Sequence, residues 1–446
     1  MSRPSTDELL TARGASWRDA IRGNVLMMGL VSLLTDFSSE MMNPLLPIFI
    51  AGLVGGKWAA FWVGLTEGIA ETTASLLKIF SGRISDKLGK RKALVVIGYG
   101  LSSVARPMMA LAGLVGTTIS AKAIQVVTLK FFDRVGKGIR TSPRDALIGD
   151  SVGKEYRGLA FSFHRSMDHL GAVLGPLTAV ALLYVFLGYA KWGETADQTA
   201  YVPGPEMDAL RWLFAVALVP GLAAMASLIF KVREVAPPRE SAAPAATRPS
   251  VWKMLPRRFY AFIGVVSLFA LGNSSDMFLL LYGWQKFQMG LMQIISLWIL
   301  LHVSKIVFSL PGGLLSDKLG RRPVIIAGWL VYALVYLGMA EVTSVWGFWL
   351  LFIVYGFYYG MSEGAEKALV TDFVGSEHRG TAFGVYHGAV GIAALPASLL
   401  FGVFWQAIGP RWAFGIGAML AGAAAVLLVV LLSSTGRGAR PAAQQA

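Results

Sequence analysis

The chain runs to 446 residues, of which 55% are hydrophobic and only 15% charged, whereas a water-soluble globular chain carries about 25% charged residues. The net charge is +14, and in so apolar a chain such an excess marks basic loops at a membrane face rather than a nucleic-acid surface. No cysteine is present, which excludes disulfides, thiolate zinc sites and iron–sulfur clusters.

Residues 1–23 mix Arg3, Asp7, Glu8, Arg13, Arg18, Asp19 and Arg22 with no apolar run before a small-residue site, so they do not read as a secretory signal. Twelve apolar runs follow, near 24–50, 58–81, 93–115, 119–141, 158–185, 209–231, 259–284, 290–315, 323–345, 347–371, 380–406 and 410–433. Each is long enough for a membrane-spanning helix, which predicts an all-α polytopic membrane protein. The polar stretch between Lys231 and Phe259 contains Pro237, Pro238, Pro244 and Pro249 and divides the runs six and six, as a linker would. Of the 40 Lys and Arg, 28 fall in the segments that lie inside if the N-terminus is inside. The even span count then predicts that both termini are cytoplasmic.

The two halves repeat each other. Ser85-Asp86-Lys87-Leu88-Gly89 recurs as Ser316-Asp317-Lys318-Leu319-Gly320, and Asp150-x-Val152-Gly153-x-Glu155-x-Arg157-Gly158 recurs as Asp372-x-Val374-Gly375-x-Glu377-x-Arg379-Gly380. Ser38-Ser39-Glu40-Met41 in the first run returns as Ser274-Ser275-Asp276-Met277 in the seventh. A six-helix unit has been duplicated.

The loop Gly82-Arg83-Ile84-Ser85-Asp86-Lys87-Leu88-Gly89-Lys90-Arg91, and its copy Gly313-Leu314-Leu315-Ser316-Asp317-Lys318-Leu319-Gly320-Arg321-Arg322, resemble the signature loop of the major facilitator superfamily. The resemblance covers nearly the whole chain. It implies twelve transmembrane helices in two pseudo-symmetric six-helix bundles around a central cavity. The expected division is a cytoplasmic segment 1–23, a bundle 24–231, a linker 232–258, a second bundle 259–433 and a cytoplasmic tail 434–446. The gating set is Gly82, Asp86, Lys87, Gly89, Lys90 and Arg91 with Gly313, Asp317, Lys318, Gly320, Arg321 and Arg322. Their physics suits that role: a glycine lets helices approach, an aspartate can accept from a helix N-terminus, and basic residues complete an inner-face network. Arg134 followed by Gly138 resembles the family's Arg-x-x-x-Gly pattern, linked to proton movement. Gly171, Gly175 and Pro176 resemble the antiporter motif Gly-x-x-x-Gly-Pro, although its later glycine pair is replaced by Leu177-Thr178-Ala179-Val180. A proline kink with small residues for helix packing is the alternative reading. The motifs are nearest those of proton-coupled efflux members.

Ionisable groups at bilayer depth cost at least ~2.5–3.5 kcal/mol, so each needs a partner or a function. Asp36 and Glu40 lie one turn apart in the first span, before Asn43, Pro44 and Pro47, which predict a bend. They are candidate proton carriers; permanent pairing with Arg134 or Arg106 is the alternative. Glu67 and Glu71 repeat the spacing in the second span, and the duplication sets Glu71 against His302 and Glu40 against Asp276. The proton-coupling set is therefore Asp36, Glu40, Glu67, Glu71, Arg134, Asp276 and His302. Arg134, Arg165, Asp168, His169 and His387 form either an anion-binding surface for substrate or a structural network under the inner gate. Aromatics including Tyr355, Tyr358 and Tyr359 suit either an amphipathic pocket or helix packing.

The expected function is proton-coupled export of a small organic or amphipathic solute by alternating access at the inner (plasma) membrane. The alternatives are a symporter importing a small organic anion and a non-transporting membrane receptor. The expected partners are a small-molecule substrate, protons and membrane lipids, with no nucleic acid and a monomeric state. No cofactor and no metal is expected. An enzyme is not, because no nucleophile elbow, HExxH or nucleotide loop occurs.

Overall fold

The first and seventh spans break at the same duplicated sequence. In the computed structural model, α1 (Asn24–Glu40) ends on Glu40, a 3₁₀ turn covers Asn43–Leu45, and α2 (Leu46–Val54) completes the span. Pro44 and Pro47 supply no backbone N–H where the ladder lapses. In the seventh span, α9 (Arg257–Gly272) and α10 (Met277–Phe287) flank an irregular stretch that ends on Asp276. Each half thus carries one acid at a helix break, where local backbone groups are already diverted from the helical ladder.

The remaining helices are α3 (Gly56–Leu88), α4 (Arg91–Met108), α5 (Ile119–Asp150), α6 (Arg157–Leu187), α7 (Gly204–Val216), α8 (Leu218–Lys231), α11 (Leu291–Leu319), α12 (Arg321–Glu341), α13 (Val345–Asp372), α14 (Arg379–Ile408) and α15 (Pro410–Ser433). Among the described residues no strand occurs. The described residues are 21–88, 90–115, 118–152, 157–187, 204–235, 255–373 and 379–433. Both terminal tails, most of the linker and Gly89 lie outside them, as do the surroundings of Gly313 and the side chains of Asp86, Lys87 and Asp317.

Among the described residues ten segments are long and apolar enough to cross a membrane. The two further expected spans, α3 and α5, have 33 and 32 residues, about 50 Å of helix each. They have the length but carry charge: α5 alone holds Lys130, Asp133, Arg134, Lys137, Arg140, Arg144 and Asp145. Several of their polar side chains bond to neighbouring helices: Ser81 of α3 donates to the Gly138 carbonyl of α5, and Asp133 of α5 accepts from Arg106 of α4.

Two compact units emerge, one from 1–59, 69–243 and 288–296, the other from 60–68, 244–287 and 297–446. In the first, glycines set the helix spacing: Gly98 of α4 and Gly136 of α5 face each other so closely that a Cβ on either would meet the other's carbonyl oxygen at 2.5–2.6 Å. Val31, Val95, Tyr99, Leu147 and Leu228 fill an apolar core beside them. In the second unit the core is aromatic. Phe269 stacks on Trp329 at 4.5 Å, and Tyr332 stacks on Tyr336 at 4.2 Å.

Candidate functional site

In the first unit, α6 docks on α1 through a ladder with one rung per helical turn. Ser32 donates to Asp168 Oδ1. One turn on, a Cβ at Gly171 would come 2.5 Å from the Leu33 carbonyl oxygen and 3.1 Å from Asp36 Cβ. Another turn on, Gly175 presses on the backbone between Phe37 and Met41. The Gly-x-x-x-Gly-Pro motif therefore packs directly on the face bearing Asp36 and Glu40. Close helix approach, the packing role, is what these glycines perform.

Asp36 makes no ion pair among the described residues: Lys137 lies close enough to act on it electrostatically, and Arg106, Arg134 and Lys130 are engaged elsewhere. Arg106 donates from Nε to Asp133 Oδ1 at 2.9 Å and from Nη1 to the Thr35 carbonyl at 2.8 Å. Arg134 lies 3.8 Å from both Glu71 and Asp133. Lys130 donates to Asn43 Oδ1 at 3.0 Å, and Asn43 donates to Glu40 Oε1 at 2.9 Å. A small cavity of mixed lining lies among Asn43, Leu46, Arg106, Met109, Lys130 and Asp133. Glu67 is buried on α3. Asp168 also faces His164 at 3.6 Å and Arg165 at 3.8 Å, while Arg165 and His169 are exposed.

In the second unit, Asp276 is held by a cluster. Tyr355 and Tyr359 donate to its Oδ1 at 2.7 and 3.1 Å, and Lys305 donates to Oδ2 at 3.1 Å. His302 engages its own helix, with Nδ1 2.9 Å from the Trp298 carbonyl. His387 is exposed, stacks against Phe383 and meets Tyr386 edge-on. Glu71 and His302 thus each have local engagements, in different units. Among the described residues no group of three or more His, Asp or Glu has the arrangement of a metal site.

At the helix ends the two duplicated motifs meet in each unit. Arg91, closing the first signature loop, pairs with Asp150; Arg321, in the second, pairs with Asp372. Both aspartates open the repeated Asp-x-Val-Gly sequence. Gly82 lies in ordinary contact with Ser142 of α5, and Gly320 adopts φ +90°, a turn that favours glycine. Lys90, Lys318 and Arg322 are exposed.

The sequence profile of the Major Facilitator Superfamily matches residues 28–303 and again 276–445. The chain belongs to the major facilitator superfamily. An uncharacterised MFS-type transporter of Methanocaldococcus jannaschii is 34% identical over 414 residues, spanning 92% of this chain and 94% of that protein. The multidrug resistance protein MdtH of Salmonella paratyphi B is 31% identical over 140 residues, 31% of this chain and 32% of its own. Two solved structures share the fold. A D-xylose–proton symporter superposes with TM-score 0.71 at 17% identity, covering 93% of this chain and 97% of its own. A bacterial homologue of the human lysosomal transporter Spinster gives 0.72 at 15%, covering 94% and 98%. The major facilitator superfamily is a family of membrane transporters and not a class of enzymes.

Sequence reasoning missed two features of this major facilitator. Glu366 is buried in α13 and accepts from Trp329 Nε1 at 2.8 Å and from Tyr386 at 2.7 Å. The rule that flags acids at bilayer depth would have found it within the apolar run 347–371. Glu234, after the sixth span, accepts from the Arg91 and Lys92 backbone N–H groups at 3.0 and 2.9 Å. This anion at a helix N-terminus sits in a stretch whose prolines suggested only a linker.

Proposed function

We propose that this transporter moves a small organic or amphipathic solute out of the cytoplasm across the inner (plasma) membrane in exchange for protons, with both termini cytoplasmic. Asp36 carries the reading. It stands at bilayer depth beside Glu40, without an ion pair among the described residues, on a helix face packed by Gly171 and Gly175. A carboxylate so placed is neutralised more economically by a proton than by bare charge. Glu40 is its neighbour one turn on, linked through Asn43 to Lys130. Glu71 shares Arg134 with Asp133, so a proton on Glu71 would shift that guanidinium's pairing towards Asp133. Glu67 and His302 complete the proton-linked set, with Asp276 as the counterpart of Glu40. The gating role belongs to the Arg91–Asp150 and Arg321–Asp372 pairs and their loops, which form or break as inner-face contacts change.

The partial similarity to a multidrug resistance protein supports export. Import of a small organic anion by symport is the second reading. It is favoured by Arg165, whose side chain is 63% exposed and lies at the long distance of 3.8 Å from Asp168.

The test is proton flux in liposomes containing purified protein while a chemically varied solute panel is added, for wild type, Asp36→Asn, Glu40→Gln and Glu71→Gln. Export by antiport predicts solute-triggered proton movement opposite to the solute that Asp36→Asn abolishes. Co-directional flux would establish symport. No flux for any solute, with folded protein and measurable solute binding, would refute proton coupling.

A further inference from the structure

The surroundings of Asp276 are those of a site for an organic cation. The carboxylate divides its two oxygens between different tasks. Oδ1 takes both tyrosine hydroxyls, from Tyr355 and Tyr359, while Oδ2 faces an ammonium, that of Lys305. The same ammonium lies 3.8 Å from the centroid of the Tyr359 ring. A carboxylate and an aromatic face converging on one ammonium is the recognition chemistry of alkylammonium ligands. Here the cation belongs to the protein.

Three observations indicate that Lys305 is exchangeable. First, Asp276 retains two hydroxyl donors on Oδ1 when the lysine leaves, so the carboxylate stays positioned with Oδ2 open to another cation. Second, the pair is partly accessible, with side chains 23% and 13% exposed, whereas the Arg106–Asp133 pair is sealed at 6% and 6%. Third, the sealed pair uses a planar arginine fork, while the accessible one uses a lysine on a flexible four-carbon stem. Tyr358, whose ring is tilted against that of Tyr359 with centroids 4.8 Å apart, extends the aromatic wall for an apolar body.

We propose that Asp276, Tyr355 and Tyr359 form a binding site for the ammonium group of an organic amine, which Lys305 occupies when the site is empty of ligand. This rests on the transporter reading above and names its substrate class, a primary or quaternary amine with an apolar body. Lys305 then serves as a tethered stand-in for substrate. It keeps the Asp276 charge compensated at bilayer depth while the carrier is unloaded.

The experiment measures equilibrium binding of radiolabelled benzyltrimethylammonium to the purified full chain in lipid-free detergent. Wild type is compared with Lys305→Met, Lys305→Gln, Tyr359→Leu and the doubly neutral Asp276→Asn/Lys305→Met, each checked for monodisperse elution. Removing the competing lysine is expected to tighten binding about tenfold. Removing Asp276 as well is expected to reverse that gain, and Tyr359→Leu to weaken binding several-fold. Unchanged or weaker binding in both monodisperse lysine variants would overturn the proposal. So would preferential binding of benzoate to wild type that disappears in Lys305→Met, since the site would then be anionophilic. Phosphatidylethanolamine carries a primary ammonium, so benzylammonium is measured beside it and beside benzyltrimethylammonium. If the lipid binds and neither benzyl cation does, the site is a headgroup site and the solute proposal falls. Solute-driven proton flux in liposomes is read separately. Flux without cation binding at Asp276 defeats this site and leaves the transport reading standing; cation binding without flux does the reverse.

Discussion

Gly175 lies directly against the backbone that carries Glu40: a Cβ added there would come 2.7 Å from the Phe37 carbonyl oxygen and 3.1 Å from Glu40 Cβ. The obstruction is backbone, which cannot rotate away as a flexible side chain can. Gly175→Val should therefore push α6 off α1 and cost about 1–3 kcal/mol, the usual penalty for overpacking. Thermal unfolding in detergent would show a lowered midpoint, and proton flux should fall with it because the Asp36 face moves. A variant as stable and active as wild type would mean that the two helices have slack at this rung.

The duplicated ion pairs at the helix ends differ in burial, and their contributions should differ accordingly. Arg91 and Asp150 have side chains 9% and 15% exposed, against 30% and 49% for Arg321 and Asp372. Breaking a buried pair strands a charge and costs about 3–5 kcal/mol, while an exposed pair contributes about 0–1 kcal/mol. Double-mutant cycles with alanine at each pair, followed by denaturant unfolding, should give a clearly larger coupling for Arg91–Asp150. Equal couplings would contradict the burial argument.

Arg106 holds two helices at once, through Asp133 of α5 and the Thr35 carbonyl of α1. Arg106→Ala should leave Asp133 buried without its main counter-charge and destabilise the protein by about 3–5 kcal/mol. Arg106→Lys keeps the charge but loses the fork, so an intermediate loss is expected. The yield of folded protein and its unfolding midpoint would rank the three as wild type, then lysine, then alanine.

Glu366 is satisfied only while both its oxygens accept. In Glu366→Gln the amide oxygen can keep the Trp329 Nε1–H bond while the amide N–H₂ donates to the Tyr386 hydroxyl, which must turn from donor to acceptor. Exchanging the carboxylate acceptor for a neutral amide should cost about 1 kcal/mol. Tyr386→Phe, which removes one donor and keeps the carboxylate, should cost a similar amount and alter transport less. The unfolding midpoint and the near-ultraviolet signal of Trp329 would report both.

Much of this architecture can be read directly from the residues. Duplicated Asp-Lys-Leu-Gly loops, twelve apolar runs and the Pro44–Pro47 break follow local patterns of hydropathy and backbone chemistry that hold wherever the chain goes. The acids at Asp36, Glu40 and Asp276 stand out because a charge in an apolar run is costly in any fold. The charges of α3 and α5 are equally visible, but they hide those helices from a hydropathy criterion alone.

Partnership is what the sequence could not supply. That Arg106 takes Asp133, that Arg91 takes Asp150, and that Asp276 collects Lys305, Tyr355 and Tyr359 depends on residues 27 to 83 positions apart along the chain. Which side chains meet is fixed by helix rotation, and a rotation of one residue, 100° on a 3.6-residue helix, moves a group to another neighbour. The helices, their duplication and the conspicuous acids are legible in the residues alone. Close packing at glycines such as Gly98, Gly136, Gly171 and Gly175 sets which charge each acid meets, and it leaves Asp36 without an ion pair among the described residues.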